Sequence, residues 1–256
     1  MTVSMSAFFA FGLALTRVSG LVVMAPLFYG TVASAKVKIG FVVILAIMLT
    51  SVRPPKEIDF ANFSALATAL AAEFAIGLLL AAGFRLAEAS VTIAGELAGL
   101  QMGVGAASIY DANAGVSSTV MPHFFSVAFT MLFLTFDGHH HLLRALSESF
   151  ITLPAGSAIR FPAPELLISQ CMNAICFGFR VAAPIVVPLL IKTASIAMAS
   201  RVFPQANVLS LSYGASMLVG FILLAASMPE FGSAVWHSIR DADVFTSNMM
   251  HALSGA

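Results

Sequence analysis

Apolar residues recur at helical spacing along most of the chain, and proline, glycine and clustered charge break them into about six segments. The first covers roughly Ser4 to Phe28 and closes at "APLFYG"; the second covers Lys36 to Val52 and stops at "RPP", where Pro54 and Pro55 cannot continue a helix. A third pattern begins near Phe60 and meets no breaker until about Met102. The fourth starts at about Pro122, a favourable first-turn residue, and ends near Phe150. After the linker "LPAGSAIRFPAP", a fifth segment spans about Glu165 to Phe203 and a sixth about Ala206 to Ser227. The remaining stretch is more polar and predicts a short helix and tail over 231–256. The pattern therefore predicts an all-α membrane protein of about six long, partly kinked helices arranged in hairpins.

The third segment is too long for an ordinary span. Its 43 residues, at 1.5 Å each, make about 64 Å, roughly twice the hydrocarbon thickness. It also carries Glu73, Arg85, Glu88 and Glu96, each unfavourable by about 3 kcal/mol at a bilayer centre, so these must face protein or water. Arg85 and Glu88, three apart, can pair on one helical face. Lys36 and Lys38 precede the second segment while Arg53 and Lys56 follow it, so basic residues set no orientation.

Composition agrees with a bilayer setting: 59% of the residues are hydrophobic and only 9% charged. Twelve basic and twelve acidic side chains cancel, which removes long-range attraction to nucleic acid. No Lys or Arg precedes Arg17, so a cleavable leader is not expected. Cys171 and Cys176 lie five apart in an apolar run and read as small core residues, not as a redox or zinc pair.

Candidate chemistry is sparse. "FDGHHHLL" sets Asp137 beside His139, His140 and His141, but three consecutive helical residues point about 100° apart, so a helix-packing role is expected and no metal site. Neither a nucleophile with an adjacent base nor a phosphate-binding loop is present, and neither an enzyme nor a cofactor is expected. An intramembrane hydrolase using His139 to His141 would lack its nucleophile. Packing signals are stronger: Gly95, Gly99 and Gly103 form a GxxxGxxxG ladder in "GELAGLQMG", where another helix should approach closely. In the fifth segment Pro184 and Pro188 free backbone carbonyls while Lys192 and Arg201 add charge, a pattern suited to a helix inside an assembly or to a kinked helix in a monomeric bundle.

Five stretches resemble the FliR family of flagellar export proteins and its virulence-secretion counterparts, the SctT proteins. They are "TRVSGLVVMAPLF" around Arg17, Gly20 and Pro26; "AGELAGLQMG" with Gly95, Glu96, Gly99, Gln101 and Gly103; "DGHHHLLRALSESFITLPAG" from Asp137 to Gly156, with His139; "AAPIVVPLLI"; and "SRVFPQANV" with Arg201, Pro204, Gln205 and Asn207. The chain departs from the family pattern at Lys192, where a neutral or acidic residue is usual. It departs again in "LSLSYGASM", Ser212 to Ser216 included, where a glycine-x-proline is usual. The resemblance implies a subunit of a type III export gate in the bacterial inner membrane and flagellar basal body. There it would join FliP-like and FliQ-like chains, with FlhB-like and FlhA-like proteins nearby, around a pore for unfolded export substrates. Residues 1–156 would be FliP-like and 157–230 a FliQ-like hairpin.

In that family the loop after "GLQMG" projects into the pore, which here implicates a pore loop at 103–121. Gly103, Gly105 and Gly115 give the loop freedom; Ala106, Ala107, Ser108, Ile109, Tyr110 and Ala112 would fill a constriction, and Asp111 and Asn113 would mark its turn. The residues alone equally allow an ordinary connector. They also allow a small-molecule or ion transporter using Glu73, Glu88 and Glu96 within the membrane.

Overall fold

Seven α-helices and no strand make up the described residues of the computed structural model, which are 5–28, 34–52, 63–104, 120–156, 164–201 and 208–254. They are α1 (Met5–Met24), α2 (Ala35–Val52), α3 (Phe63–Met102), α4 (Val120–Thr135), α5 (Gly138–Thr152), α6 (Pro164–Ala199) and α7 (Val208–Ser254), with a short 3-10 turn at Pro26–Phe28. Three of them, α3, α6 and α7, are long and apolar enough to cross a membrane, and α4 with α5 would make a fourth if counted as one broken span.

Two boundaries differ from the sequence expectation. The fourth segment, expected unbroken from Pro122 to Phe150, splits at Phe136 and Asp137, where Asp137 takes a left-handed conformation (φ 57°). The expected stop near Ser227 is also absent: α7 runs 47 residues through Pro229 to Ser254. Its polar end keeps an apolar stripe, because Phe231, Val235, Ile239, Ala242, Phe245, Met249 and Leu253 recur every three or four residues and are all buried. Tertiary packing of that stripe outweighs the proline and the surface polarity. Pro184 and Pro188 do lie inside α6, as expected.

The chain divides into two compact units, and α3, α6 and α7 contribute to both. One comprises Met1–Leu86, Phe136–Gln170 and Ile239–Ala256. Its core rests on α1, where Ala10, Leu13, Ala14, Arg17, Val18, Leu21 and Val22 form one buried stripe, joined by Ile76, Leu80, Ala81 and Phe84 of α3. Thr246 of α7 donates to the Leu80 carbonyl at 3.1 Å, beside Gly83, where an added Cβ would lie 3.2 Å from the Ala242 carbonyl oxygen. The other unit comprises Ala87–Thr135 and Cys171–Ser238. Phe125, Phe129 and Phe133 of α4 line its core, and Phe125 meets Phe231 edge to face at 5.6 Å between centroids.

Many large apolar side chains face outward. On α2 they include Val37, Ile39, Ile44, Ile47 and Met48; on α6, Ile168, Met172, Ile175, Phe179, Leu190, Ile191 and Met198. Cys171 and Cys176 share the outward side of α6 and are exposed, so they are not core residues of this chain as the sequence suggested. Their apolar surroundings belong to whatever covers that face. Faces of this extent are stable only against lipid or protein.

Candidate functional site

The deepest polar feature is built on Arg17, which is fully buried in the stripe of α1. Close helix approach makes it possible. A Cβ on Gly20 of α1 would collide with the Phe74 carbonyl oxygen and lie 3.2 Å from the Gly77 Cα; one on Gly77 of α3 would collide with the Arg17 carbonyl oxygen. Only glycine allows the backbones to cross there. One turn from the crossing, Arg17 Nε lies 2.5 Å from Glu73 Oε2, both groups being shielded from solvent. Its Nη1 donates to the Ser149 carbonyl at 3.0 Å and hydroxyl at 3.1 Å, and Nη2 donates to the Leu153 carbonyl at 2.9 Å. Those carbonyls end α5, so the cation also caps the negative end of a helix dipole. The guanidinium carbon lies 4.2 Å from the Phe150 ring centroid, and Glu73 Oε1 accepts from the Gly156 N–H at 2.9 Å. Arg17 was marked by family resemblance and Glu73 by charge; their pairing across 56 positions was not foreseen.

Glu73 is thereby removed from the transporter reading, since both its oxygens are engaged. Glu88 is buried and accepts from the Ser126 hydroxyl at 3.0 Å, whereas Glu96 is exposed. The three acids occupy three different settings.

The glycine ladder resolves into two rungs and a stop. Cβ atoms on Gly95 would lie 2.9 Å from the Met121 carbonyl oxygen and 3.0 Å from the Pro122 Cα, and one on Gly99 would lie 3.0 Å from the Met121 Cβ, so the approaching helix is α4 of the same chain. Gly103 has another function. It is left-handed (φ 74°), its N–H donates to the Leu100 carbonyl at 3.2 Å, and the Val104 N–H donates to the Gly99 carbonyl at 3.1 Å. That pair of bonds is a Schellman motif, which ends α3 and which glycine favours. Just before it, Met102 is buried against Gly220 of α7, where an added Cβ would approach its Sδ to 3.0 Å. Gln101 is half-buried. The pore-loop candidates Ala106, Ala107, Ser108, Ile109, Tyr110, Asp111, Ala112 and Asn113 lie outside the described residues, as do Pro204, Gln205 and Asn207. Arg201 is exposed in the turn after α6.

Lys192 and the Ser212–Ser216 stretch, the two places read in the sequence as departing from the resemblance, meet in space. Lys192 of α6 donates to the Ser212 carbonyl (3.2 Å), the Ser212 hydroxyl (3.3 Å) and the Ser216 hydroxyl of α7. The Lys192 charge, which suited a helix inside an assembly, is satisfied within the chain by these serines.

At the α4–α5 break, the Asp137 carbonyl accepts from the His140 N–H (2.8 Å) and His141 N–H (3.4 Å), while its carboxylate makes no helix-capping bond. His140 Nδ1 lies 3.3 Å from Asp137 Oδ1. His141 turns away, its Nδ1 being 3.2 Å from Asp243 Oδ2 but outside hydrogen-bond alignment. The three histidines do not share one site. Asp137, His139 and His140 do, with one ligand atom of each within 4.8 Å of the others.

Residues 8–242 match the family described as "Bacterial export proteins, family 1". The chain is similar to the flagellar biosynthetic protein FliR of Buchnera aphidicola subsp. Baizongia pistaciae, with 31% identity over 85% of each chain. It is also similar to the FliR proteins of Pectobacterium carotovorum subsp. carotovorum (29% identity, 90% of each chain) and Escherichia coli K12 (29%, 84% of this chain and 82% of the relative).

Proposed function

Because the chain belongs to the bacterial export proteins, family 1, we propose that it is a non-enzymatic, membrane-embedded component of the flagellar protein export apparatus in the bacterial inner membrane. The observation carrying this reading is the family match along almost the whole chain, with relatives named flagellar biosynthetic protein FliR. In this reading the chain assembles with FliP-like and FliQ-like subunits around a passage for unfolded export substrates. Residues 1–156 form its FliP-like part and 157–230 its FliQ-like hairpin, with FlhB-like and FlhA-like proteins as further neighbours. The outward apolar faces of α2 and α6 support burial by such partners or by lipid. The Schellman stop at Gly103 ends α3 where the expected pore loop begins, and in this reading that loop is the constriction of the passage.

Two measurements test the proposal. Co-expression with FliP-like and FliQ-like chains should yield one detergent-stable complex of defined mass; a chain equally stable and monodisperse alone would overturn the assembly role. Deleting residues 106–113 should preserve the complex but make cells overproducing it leak ions or small dyes. Unchanged permeability in assembled complexes would reduce the segment to a connector.

A further inference from the structure

We propose that Asp137, His139 and His140, at the break between α4 and α5, form a binding site for a divalent transition-metal ion of the zinc, cobalt or nickel class. Two imidazoles and one carboxylate suit ions of that intermediate softness, which accept three protein ligands and fill the remaining positions with water or another donor. The geometry requires the break. Along an uninterrupted helix these residues would fan apart by about 100° per step. Asp137 instead sits outside α5 in a left-handed conformation, which folds its carboxylate back toward His140. The two imidazole centroids are 4.1 Å apart, and the three ligand atoms lie within 4.8 Å of one another. Ligands bound at about 2.0–2.2 Å stand roughly 3 to 3.5 Å apart, so the three groups need close by only about 1 to 2 Å.

Two observations point to a ligand rather than to ordinary capping. Asp137 occupies the position from which an aspartate commonly caps a helix, yet makes no such bond. His139 Nδ1 is buried and has no hydrogen-bond partner among the described residues. Burying an unsatisfied ring nitrogen is unfavourable, and an ion bound at that Nδ1 relieves this. The positive end of α5 opposes a cation, and the Asp137 charge offsets that opposition. Binding would lock the first turn of α5 to the break. His141, directed at Asp243, is excluded from the site.

The test uses the full-length chain in detergent, carried on a histidine-free tag and stripped with chelator, then titrated with Co²⁺ alone. Saturable uptake of one Co²⁺ per chain, with ligand-field absorption bands displaced by Zn²⁺, is expected. His140→Ala, a change at an exposed residue, and Asp137→Asn should each weaken it at least tenfold, while His141→Ala leaves it unchanged. Electron spin-echo spectroscopy of the Cu²⁺-loaded unaltered chain should count two imidazoles and needs no variant. Absence of saturable binding, equal weakening by His141→Ala, or fewer than two coordinated imidazoles overturns the proposal.

Discussion

Replacing Arg17 by Met should destabilise the protein more than almost any other single exchange, and the structure sets the size of the effect. The substitution leaves the Glu73 carboxylate buried, still bonded to the Gly156 N–H but without its cation, and uncaps the Leu153 carbonyl, while the Ser149 carbonyl keeps the Leu153 N–H. Removing one partner of a buried pair costs about 3–5 kcal/mol, or roughly a hundred- to several-thousand-fold in the folding equilibrium. Glu73→Leu strands the guanidinium instead and should cost a similar amount, tempered by the Ser149, Leu153 and Phe150 contacts that remain. The double variant removes both charges from an apolar site. It should be less damaging than the sum of the single changes by more than about 1 kcal/mol, its remaining deficit being the uncapped Leu153 carbonyl and the Gly156 N–H that loses Glu73, at about 1–3 kcal/mol each. The assay is a double-variant cycle on resistance of the detergent-purified complex to denaturation, read beside its yield. Single variants as stable as the parent, or losses that simply add, would show that Arg17 and Glu73 do not act as a unit.

The glycine contacts give a graded series: Gly77→Ala and Gly99→Leu should each cost about 1–3 kcal/mol through overpacking, while Gly12→Ala, with nothing within 4 Å of its added Cβ, should be neutral or mildly stabilising. Equal thermal resistance of all three would refute the close crossings. At the α6–α7 contact, Lys192→Met should be tolerated, because the Ser212 carbonyl still receives the Ser216 hydroxyl, whereas Ser212→Ala with Ser216→Ala leaves the ammonium a single acceptor and should cost about 1–3 kcal/mol. The reverse order in complex yield would show that the charge serves a partner and not the hairpin.

What was legible in the sequence follows from the range of each signal. Helix periodicity, prolines and the GxxxGxxxG ladder are local, so the all-α class, the overlong α3 and the approach of a helix at Gly95 and Gly99 were visible. The break at Asp137 was marked by its Asp-Gly dipeptide, a turn signal that the surrounding apolar run concealed. The stripe from Phe231 to Leu253 was equally present but diluted by His237, Arg240, Asp241 and Asp243. The partners of Arg17 and Lys192 were not legible, because they lie 56 and 20 or more positions away and depend on which glycines let helices meet. Gly20, Gly77 and Gly220 fall in no GxxxG pair, so nothing in their spacing separates them from Gly12, which meets nothing.

These partners alter the account of how the chain joins an assembly. Glu73 was expected to face protein or water, and Lys192 suited a helix inside an assembly; both are satisfied internally, so they cannot supply the main attraction. The outward surface is apolar, and a bilayer provides little driving force for apolar helices to leave lipid. The length of α6 resolves this difficulty. Its exposed apolar residues run from Ile168 to Met198, about 45 Å along the helix, whereas hydrocarbon is about 30 Å thick. Fitting that stripe into lipid by tilt alone would need an inclination near 50°, beyond the roughly 40° upper limit of spanning helices. Part of the stripe must therefore stand outside the hydrocarbon, where water makes its burial by protein favourable. Association driven there should resist high salt and yield to detergents that compete for apolar surface. Salt-induced dissociation of the complex would return the burden to the charges.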